Sequence, residues 1–209
     1  MTIDVFSDVV CPWCYIGMAR LDRALQDHPG SAAEKRWRPF QLQPQLPAGG
    51  LPWRAFAERK FGSWSAAEAA FRHVEQAAAD DGIPFDFSRI ASAPNTADAH
   101  RLLLWARERS GDEWPLAAEL FRGYFAEGLD LNDPDALSKR AAATGLDPTG
   151  ARQLLASDRF RGDVSDSQRE AARLGVTGVP FYVLAGQYAL SGAQPPAVLS
   201  RALAHAAAR

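Results

Sequence analysis

The sequence predicts an α/β protein in which an all-helical segment interrupts a small sheet. The residues up to about position 43 read as strand, helix and strand, and a long middle segment carries helical signals. The remaining residues read as helix, two strands and helix. We therefore expect a discontinuous α/β domain, residues 1–46 and 160–209, and a helical insertion domain, residues 47–159.

Composition excludes several classes of protein. The 209 residues are 47% hydrophobic and 23% charged, which is ordinary for a globular chain. The formal charge is −2, and no basic run resembles a nucleic-acid-binding stripe. The longest apolar stretches, Val9 to Ile16 and Val179 to Ala185, fall short of the ~20 residues that span a bilayer. No secretory signal pattern precedes Asp4, so we expect a cytoplasmic protein without nucleic-acid or membrane partners.

The first elements form a βαβ unit. Thr2 to Ser7 alternates apolar and polar residues as a strand does. Pro12 suits the first turn of a helix, whose end we expect near Asp27-His28-Pro29-Gly30. Its apolar stripe consists of Cys14, Met18, Leu21 and Leu25. Lys35 to Gln43 is predicted as an edge strand, because Pro39 cannot donate to a central ladder.

The middle segment is predicted to be entirely helical, with glycine and proline punctuating it. The predicted helices are Trp53–Phe61, Ala66–Asp81, Ala97–Ser110, Trp114–Glu127, Pro134–Thr144 and Thr149–Ala156.

The final elements return to the sheet. Asp163 is predicted to cap a helix that ends at Leu174. A hairpin follows, with strands Phe181–Leu184 and Tyr188–Leu190. The last predicted helix is Pro196–Ala208.

The two cysteines of the chain lie in one tetrapeptide, Cys11-Pro12-Trp13-Cys14. A disulfide across so small a ring would stabilise the fold by only ~1.9 kcal/mol, so it would be a poor structural link. A zinc site needs four ligands, and the histidines, His28, His73, His100 and His205, are too scattered to complete one. We therefore expect a redox pair and no metal.

Position on the helix assigns a role to each cysteine. Cys11 lies at the helix N-terminus, where free backbone N–H groups and the helix dipole favour a thiolate. Cys14 lies one turn further, on the apolar stripe, where a thiol is less exposed and keeps a higher pKa. Cys11 is thus the expected nucleophile, and Cys14 is expected to resolve the mixed disulfide.

Two neighbours of the cysteines have alternative roles. Asp8 is predicted either to relay protons to Cys14 through water or, more ordinarily for Asp, to bond nearby backbone and cap the loop. Trp13 is predicted either to shape the surface around Cys11 or to be a packed aromatic residue.

Four segments carry a resemblance to a known family: Asp8 to Gly17 (DVVCPWCYIG), Pro94-Asn95-Thr96 with Ala99-His100, Gly178-Val179-Pro180, and Ser191 to Gln194. They resemble the thioredoxin superfamily, specifically its DsbA-like branch with an inserted helical domain, and its FrnE-type subgroup. The resemblance implies a thioredoxin-like fold, thiol–disulfide exchange and no bound cofactor. It also implies that Pro180 is cis and faces the cysteines, and that Pro12, Trp13 and the Val179 backbone contact the substrate.

The inserted helices are expected to fold over the cysteines and select substrates. Asn95 is predicted to cap a helix, and His100 to be an ordinary surface or interface histidine; the alternative is that either contacts substrate or glutathione. Most of a set of apolar helix residues is expected to be core, with some left for a groove wall: Leu102, Leu103, Trp105, Leu120 and Phe121.

The function predicted first is thiol–disulfide oxidoreductase, acting on protein or small-molecule disulfides, with its redox direction open. The alternative is a glutathione-dependent isomerase or transferase of the hydroxychromene-carboxylate isomerase or kappa class, in which a serine usually stands where Cys11 stands. A third class is a non-catalytic chaperone. Glutathione stays open as a co-substrate, and the protein is expected to be a monomer or homodimer.

Overall fold

The computed structural model describes residues 1–27 and 33–208. Its main sheet has four strands, β1 (Thr2–Ser7), β2 (Glu34–Pro39), β5 (Phe181–Leu184) and β6 (Tyr188–Ser191), in the order β2-β1-β5-β6. β1 runs parallel to β2 and antiparallel to β5, and β5 pairs with β6 as a hairpin. The predicted α/β fold with helices between the two parts of the sheet is therefore confirmed.

The first helix, α1 (Pro12–Gln26), begins where the sequence predicted. Cys11 is its N-cap residue in extended conformation, and Pro12 occupies the first helical position. The helix ends at Gln26, with Asp27 as its C-cap residue. The rest of the predicted end, residues 28–30, lies outside the described residues. β2 is an edge strand as predicted, but it ends at Pro39 rather than at Gln43, because the N–H groups of Gln41 and Leu42 donate to side chains instead of to β1.

Six α-helices follow β2 before the C-terminal part of the chain: α2 (Trp53–Phe61), α3 (Trp64–Ala77), α4 (Ala97–Ser110), α5 (Trp114–Arg122), α6 (Pro134–Ala143) and α7 (Pro148–Leu155). α2 and α4 have the predicted bounds. α3 begins two residues early because Ser63 caps it, and it gives way to a 3₁₀ turn at Ala79–Asp81. A second 3₁₀ turn covers Phe87–Arg89.

Two features of the middle segment were not predicted. A second, two-stranded sheet pairs β3 (Leu51–Pro52) with β4 (Ser92–Ala93). Strands of two residues carry no periodic signal. After α5 the chain widens into a π-helical segment, Gly123–Glu127, within the predicted helix. Gly123 allows this path, since a Cβ there would lie 2.8 Å from the Leu129 side chain.

The C-terminal part contains α8 (Arg161–Arg173), the β5–β6 hairpin and α9 (Pro196–Ala207). The prediction that Asp163 caps α8 was wrong. The helix begins at Arg161, after Phe160 in left-handed conformation. Asp163 lies in its first turn, where the helix dipole stabilises a carboxylate.

One large apolar cluster joins the sheet, α1 and the intervening helices. It includes Ile3 and Leu21 from the first unit together with Leu102, Leu120 and Phe121. Because this packing is continuous, the helices hold a fixed surface against the cysteines. The domain bounds at 47 and 159 stay a prediction. Within residues 1–27 and 33–208, no helix is long and apolar enough to cross a membrane.

Candidate functional site

The cysteines lie at the carboxyl end of β1, where the chain turns into α1. The Cys11 N–H donates to the Asp8 carbonyl at 2.9 Å, and the Cys14 N–H donates to the Cys11 carbonyl at 3.0 Å. The two cysteines are free thiols that approach each other to 3.3 Å. The sequence thus folds into a tight turn that presents both sulfur atoms as a pair.

Their surroundings differ in the predicted sense, although both are buried. Cys14 is 1% exposed and Cys11 4%, so the sulfur of Cys14 is the more enclosed. Burial raises the pKa of the Cys14 thiol well above its ordinary value, and the hydrogen bond and charge of Cys11 raise it further. The Ser7 hydroxyl and the Asp8 backbone act in the opposite direction. Cys14 therefore remains a thiol unless something draws its proton away.

The loop before β5 lies against the cysteines. The Val179–Pro180 peptide bond is cis. The Cys11 thiol donates to the Val179 carbonyl at 3.5 Å. This contact places the loop beside Cys11, as the resemblance implied.

Behind the cysteines, Tyr182 of β5 approaches α1 at Gly17. A Cβ on Gly17 would lie 2.3 Å from the Tyr182 hydroxyl and 2.8 Å from the Pro180 Cγ, so only glycine allows this approach. Burial raises the pKa of Tyr182, and the neighbouring Cys14 and Cys11 add to the effect. The hydroxyl is buried and has no hydrogen-bond partner among the residues that the structure describes.

Asp8 and His100 form a buried pair beneath the cysteines. The Asp8 Oδ2 accepts the Leu42 N–H at 2.8 Å, and its Oδ1 faces the His100 Nε2 at 3.3 Å without the alignment of a hydrogen bond. The His100 Nδ1 accepts the Trp37 indole N–H at 3.0 Å. Since indole only donates, Nδ1 is unprotonated and a neutral His100 carries its proton on Nε2, toward Asp8. The Asp8 carboxylate thus bonds the distant backbone of Leu42 rather than its own loop, and the prediction that it caps the loop was wrong.

Asn95 acts within the fold. Its Oδ1 accepts from the Ala97 N–H at 3.0 Å and from Gln41 at 3.0 Å, and its amide donates to the Leu46 carbonyl at 2.6 Å. Thr96 is the N-cap residue of α4, and Asn95 caps the helix from one position earlier. The structure therefore connects both Asn95 and His100 to protein atoms, and His100 is wholly buried.

A cavity of about 370 Å³ opens beside Cys11. Pro12, Trp13 and Val179 border it on the cysteine side. Aromatic side chains from the middle segment form most of the opposite wall: Trp53, Phe56, Phe61, Phe71, Phe87 and Phe125. The helices therefore cover the cysteines on one side, as expected.

The prediction that most of the apolar helix residues are core is confirmed, whereas the prediction that some of them form a groove wall was wrong. Leu102, Leu103, Trp105, Leu120 and Phe121 are at most 3% exposed and belong to the core. The cavity is instead bordered by α2, α3, a 3₁₀ turn and the π-helical segment, where the wider turn gives Tyr124 and Phe125 a place in the wall. A clustering of aromatic residues between 53 and 87 was the available signal.

The described residues contain no cluster of His, Cys, Asp or Glu that could hold a metal ion. Sequence reasoning also missed Tyr182 and Trp37, which read as ordinary strand residues because their partners are distant in the chain.

Comparison with known proteins agrees with this geometry. The family model described as DSBA-like thioredoxin domain matches residues 2–204. A probable DsbA oxidoreductase from Streptomyces coelicolor is 36% identical, with a TM-score of 0.90 over 100% of this chain and 91% of that one.

Two further structures share the fold at lower identity. The cytosolic disulfide reductase DsbM from Pseudomonas aeruginosa, in a structure with GSH, is 20% identical with a TM-score of 0.71, and all of both chains is covered. A 2-hydroxychromene-2-carboxylate isomerase is 16% identical with a TM-score of 0.73, covering 98% of this chain and 95% of that one. The family model covers nearly the whole sequence, so the chain belongs to the DsbA-like thioredoxin domain family.

Proposed function

We propose that the protein is a thiol–disulfide oxidoreductase in which Cys11 is the nucleophile and Cys14 the resolving thiol. The observation that carries this proposal is the pairing of two free thiols, 3.3 Å apart, of which only Cys11 borders the cavity. Exchange through a mixed disulfide requires one thiol that meets the substrate and a second, buried thiol behind it.

The exchange proceeds in two displacements. The Cys11 thiolate attacks one sulfur of a substrate disulfide, a bond forms between them, and the other substrate sulfur leaves as a thiolate. Cys14 then loses its proton and attacks the Cys11 sulfur, which releases the second substrate thiolate and leaves a Cys11–Cys14 disulfide. Two electrons pass from the cysteine pair to the substrate, and the reverse sequence oxidises a substrate dithiol.

Other residues have proposed supporting roles. Asp8 borders the same cavity as Cys11, and we assign it as acceptor, through water, of the proton that Cys14 loses. Pro12, Trp13 and Val179 border the cavity where a substrate disulfide would lie, and we assign the adjoining Pro180 to the same substrate contact. The Asn95 amide donates to the carbonyl of Leu46, which lines the cavity, and His100 accepts the Trp37 indole N–H, so we assign both a structural role that needs no contact with substrate.

The proposal needs no resident cofactor, and its partners are protein or low-molecular-weight thiols and disulfides. Glutathione is a candidate co-substrate, since a DsbM structure of the same fold is described with GSH. We propose a cytoplasmic location, in line with that cytosolic relative. The direction of exchange depends on the reduction potential of the cysteine pair, for which 30 mV corresponds to about 1.4 kcal/mol.

The glutathione-dependent isomerase is the second candidate, and the fold shared with the 2-hydroxychromene-2-carboxylate isomerase supports it. Those enzymes usually carry serine at the position of Cys11. The second thiol, Cys14, has no role in such a reaction, and this favours thiol–disulfide exchange.

The test is turnover of bis-hydroxyethyl disulfide and of a disulfide-bonded protein with dithiothreitol as reductant. We expect wild-type protein to accelerate both reactions and Cys11→Ser to abolish the acceleration. Cys14→Ser should still attack the substrate but depend on dithiothreitol to release the mixed disulfide. Undiminished acceleration by Cys11→Ser would overturn the proposal.

A further inference from the structure

The cavity beside Cys11 is suited to one chemical class of substrate. Its wall is built from rings that pack on one another: Phe71 stacks on Phe87 with centroids 4.5 Å apart, and Trp53 stacks on Phe71 at 5.6 Å. Such a wall offers the faces and edges of rings to a ligand and few hydrogen bonds.

Some polar groups of the lining residues are bonded within the protein, whereas the buried Trp53 indole N–H and the Asp8 Oδ1 have no hydrogen-bond partner among the described residues. The Tyr124 hydroxyl donates to the Ser92 carbonyl at 3.1 Å, and the Asp8 Oδ2 accepts the Leu42 N–H. A peptide main chain drawn into this cavity would leave most of its N–H and C=O groups without partners, at a cost of several kcal/mol per group in an apolar site. An apolar ring system carries no such cost.

The size of the cavity agrees with an apolar ring system as its ligand. An apolar protein cavity of ~150 Å³ binds benzene. The ~370 Å³ beside Cys11 therefore has room for a two-ring group whose sulfur lies at the Cys11 side.

Lys60 supplies a charge at the exposed end of the cavity. Its ammonium lies 5.7 Å from the Phe56 ring centroid and 5.5 Å from that of Phe61. His73 also lines the cavity, but on the cysteine side, where its ring lies 5.6 Å from that of Trp13. No carboxylate within residues 1–27 and 33–208 forms an ion pair with Lys60. An acidic group on the ligand would find a cationic partner there.

We propose that this cavity binds an aromatic, anionic group, so that the preferred substrates of Cys11 are small aryl thiols and disulfides that carry an acidic substituent. The substrate preference rests on the proposed exchange function, whereas binding of the aryl group does not. The two are therefore tested separately.

Binding is tested by isothermal titration of naphthoate and naphthylmethanol into protein in which both cysteines are serine. Ala70 lines the cavity on α3 and is half-buried, whereas the adjacent Ala69 is exposed and outside it. We expect Ala70→Trp to weaken naphthoate binding at least about tenfold, which is 1.4 kcal/mol. Ala69→Trp is the matched control and should change it less than about twofold.

The charge is tested with a second matched pair. Lys60→Gln should weaken naphthoate severalfold and leave naphthylmethanol unchanged, whereas Arg59→Gln, one position away and exposed, should change neither. Equal effects of the members of either pair would overturn the proposal, as would no naphthoate binding at millimolar concentration.

Substrate preference is tested with four disulfides that combine aryl or alkyl bodies with anionic or neutral substituents: dithiobis(nitrobenzoate), dithiodipyridine, dithiodipropionate and bis-hydroxyethyl disulfide. Each enzymatic rate is divided by the rate with free thiol. We expect the anionic aryl disulfide to rank first, and Ala70→Trp to lower its normalised rate selectively.

The outcomes separate the two claims. Exchange with all four disulfides at the same normalised rate would refute the cavity proposal and leave the proposed function standing. Naphthoate binding without any exchange would refute the proposed function alone. If Ala70→Trp fails to fold, competition by naphthoate against exchange in wild-type protein decides, and no competition at saturation contradicts the proposal.

Discussion

The Asp8 Oδ1 and the His100 Nε2 face each other 3.3 Å apart, and both side chains are wholly buried. This pair joins the end of β1, three residues before Cys11, to helix α4. The Trp37 indole extends the connection to β2. The cysteine loop is thus held by residues from three separate elements.

Replacement of His100 by Ala should lower the free energy of unfolding by ~2–4 kcal/mol. The change creates a buried cavity and leaves the Trp37 indole N–H without its acceptor. It also removes the imidazole that faces the Asp8 carboxylate. Urea unfolding measures the effect. His73→Ala is the control, because His73 is exposed and should change stability by less than ~0.5 kcal/mol. Equal stabilities of the two variants would show that the buried pair does not hold the loop.

Gly17→Ala should destabilise the protein by ~1–3 kcal/mol, because the added Cβ meets the Tyr182 hydroxyl and Pro180. Thermal unfolding provides the measurement. Gly162→Ala is the control, because Gly162 lies on a different helix, α8, and a Cβ there has no neighbour within 4 Å. An unchanged melting temperature in Gly17→Ala would contradict the close approach of Tyr182 to α1.

Tyr182→Phe should leave the free energy of unfolding unchanged or raise it by up to ~1 kcal/mol. The substitution removes a buried hydroxyl without a partner and keeps the ring. In combination with Gly17→Ala it should recover part of the stability that Gly17→Ala loses. A loss of more than ~1 kcal/mol in the single variant would show that the hydroxyl is bonded.

Arg101→Lys should destabilise the protein by ~2–4 kcal/mol although it keeps the charge. The guanidinium is wholly buried and donates to the carbonyls of Leu154 and Arg159, each at 2.7 Å, and to Asp98 at 2.6 Å. Lysine cannot reproduce this planar set of donors. Urea unfolding of Arg101→Lys and of Arg109→Lys, on the same helix, provides the comparison. Equal stabilities would contradict the assigned role.

The reduced protein should lose stability as pH rises above about 8.5. An unfolded thiol ionises near this pH, whereas burial keeps the folded Cys14 protonated, so the unfolded state is favoured as protons leave it. The slope from this group is at most about 1.4 kcal/mol per pH unit. Urea unfolding between about pH 7.5 and 9.5, below ordinary tyrosine ionisation, measures it. The slope should shrink in Cys14→Ser, and an identical slope would contradict the raised pKa.

The sequence was most informative where a pattern is local. The Cys11-Pro12-Trp13-Cys14 turn, the start of α1 and the bounds of α2 and α4 follow from caps, proline and periodicity. The edge position of β2 followed from Pro39. Each of these depends on residues within a few positions of one another.

The sequence did not predict the contacts between residues that are distant in the chain. The aromatic wall of the cavity is assembled from α2, α3, a 3₁₀ turn and the π-helical segment, and no spacing rule brings both Phe71 and Phe125 against Phe87. His100 lay in a motif, but its partners, Trp37 and Asp8, are 63 and 92 residues away. Contacts of this kind depend on packing of the whole fold rather than on local propensity.

Intact-mass analysis after incubation with a disulfide substrate tests the central claim most directly. In Cys14→Ser the substrate should remain attached to Cys11 as a mixed disulfide, because no resolving thiol is present. Wild-type protein should accumulate the Cys11–Cys14 disulfide instead, and Cys11→Ser should form little adduct because Cys14 is buried and protonated. An adduct that forms equally on Cys11→Ser, or no adduct on Cys14→Ser, would contradict the assigned roles of the two cysteines.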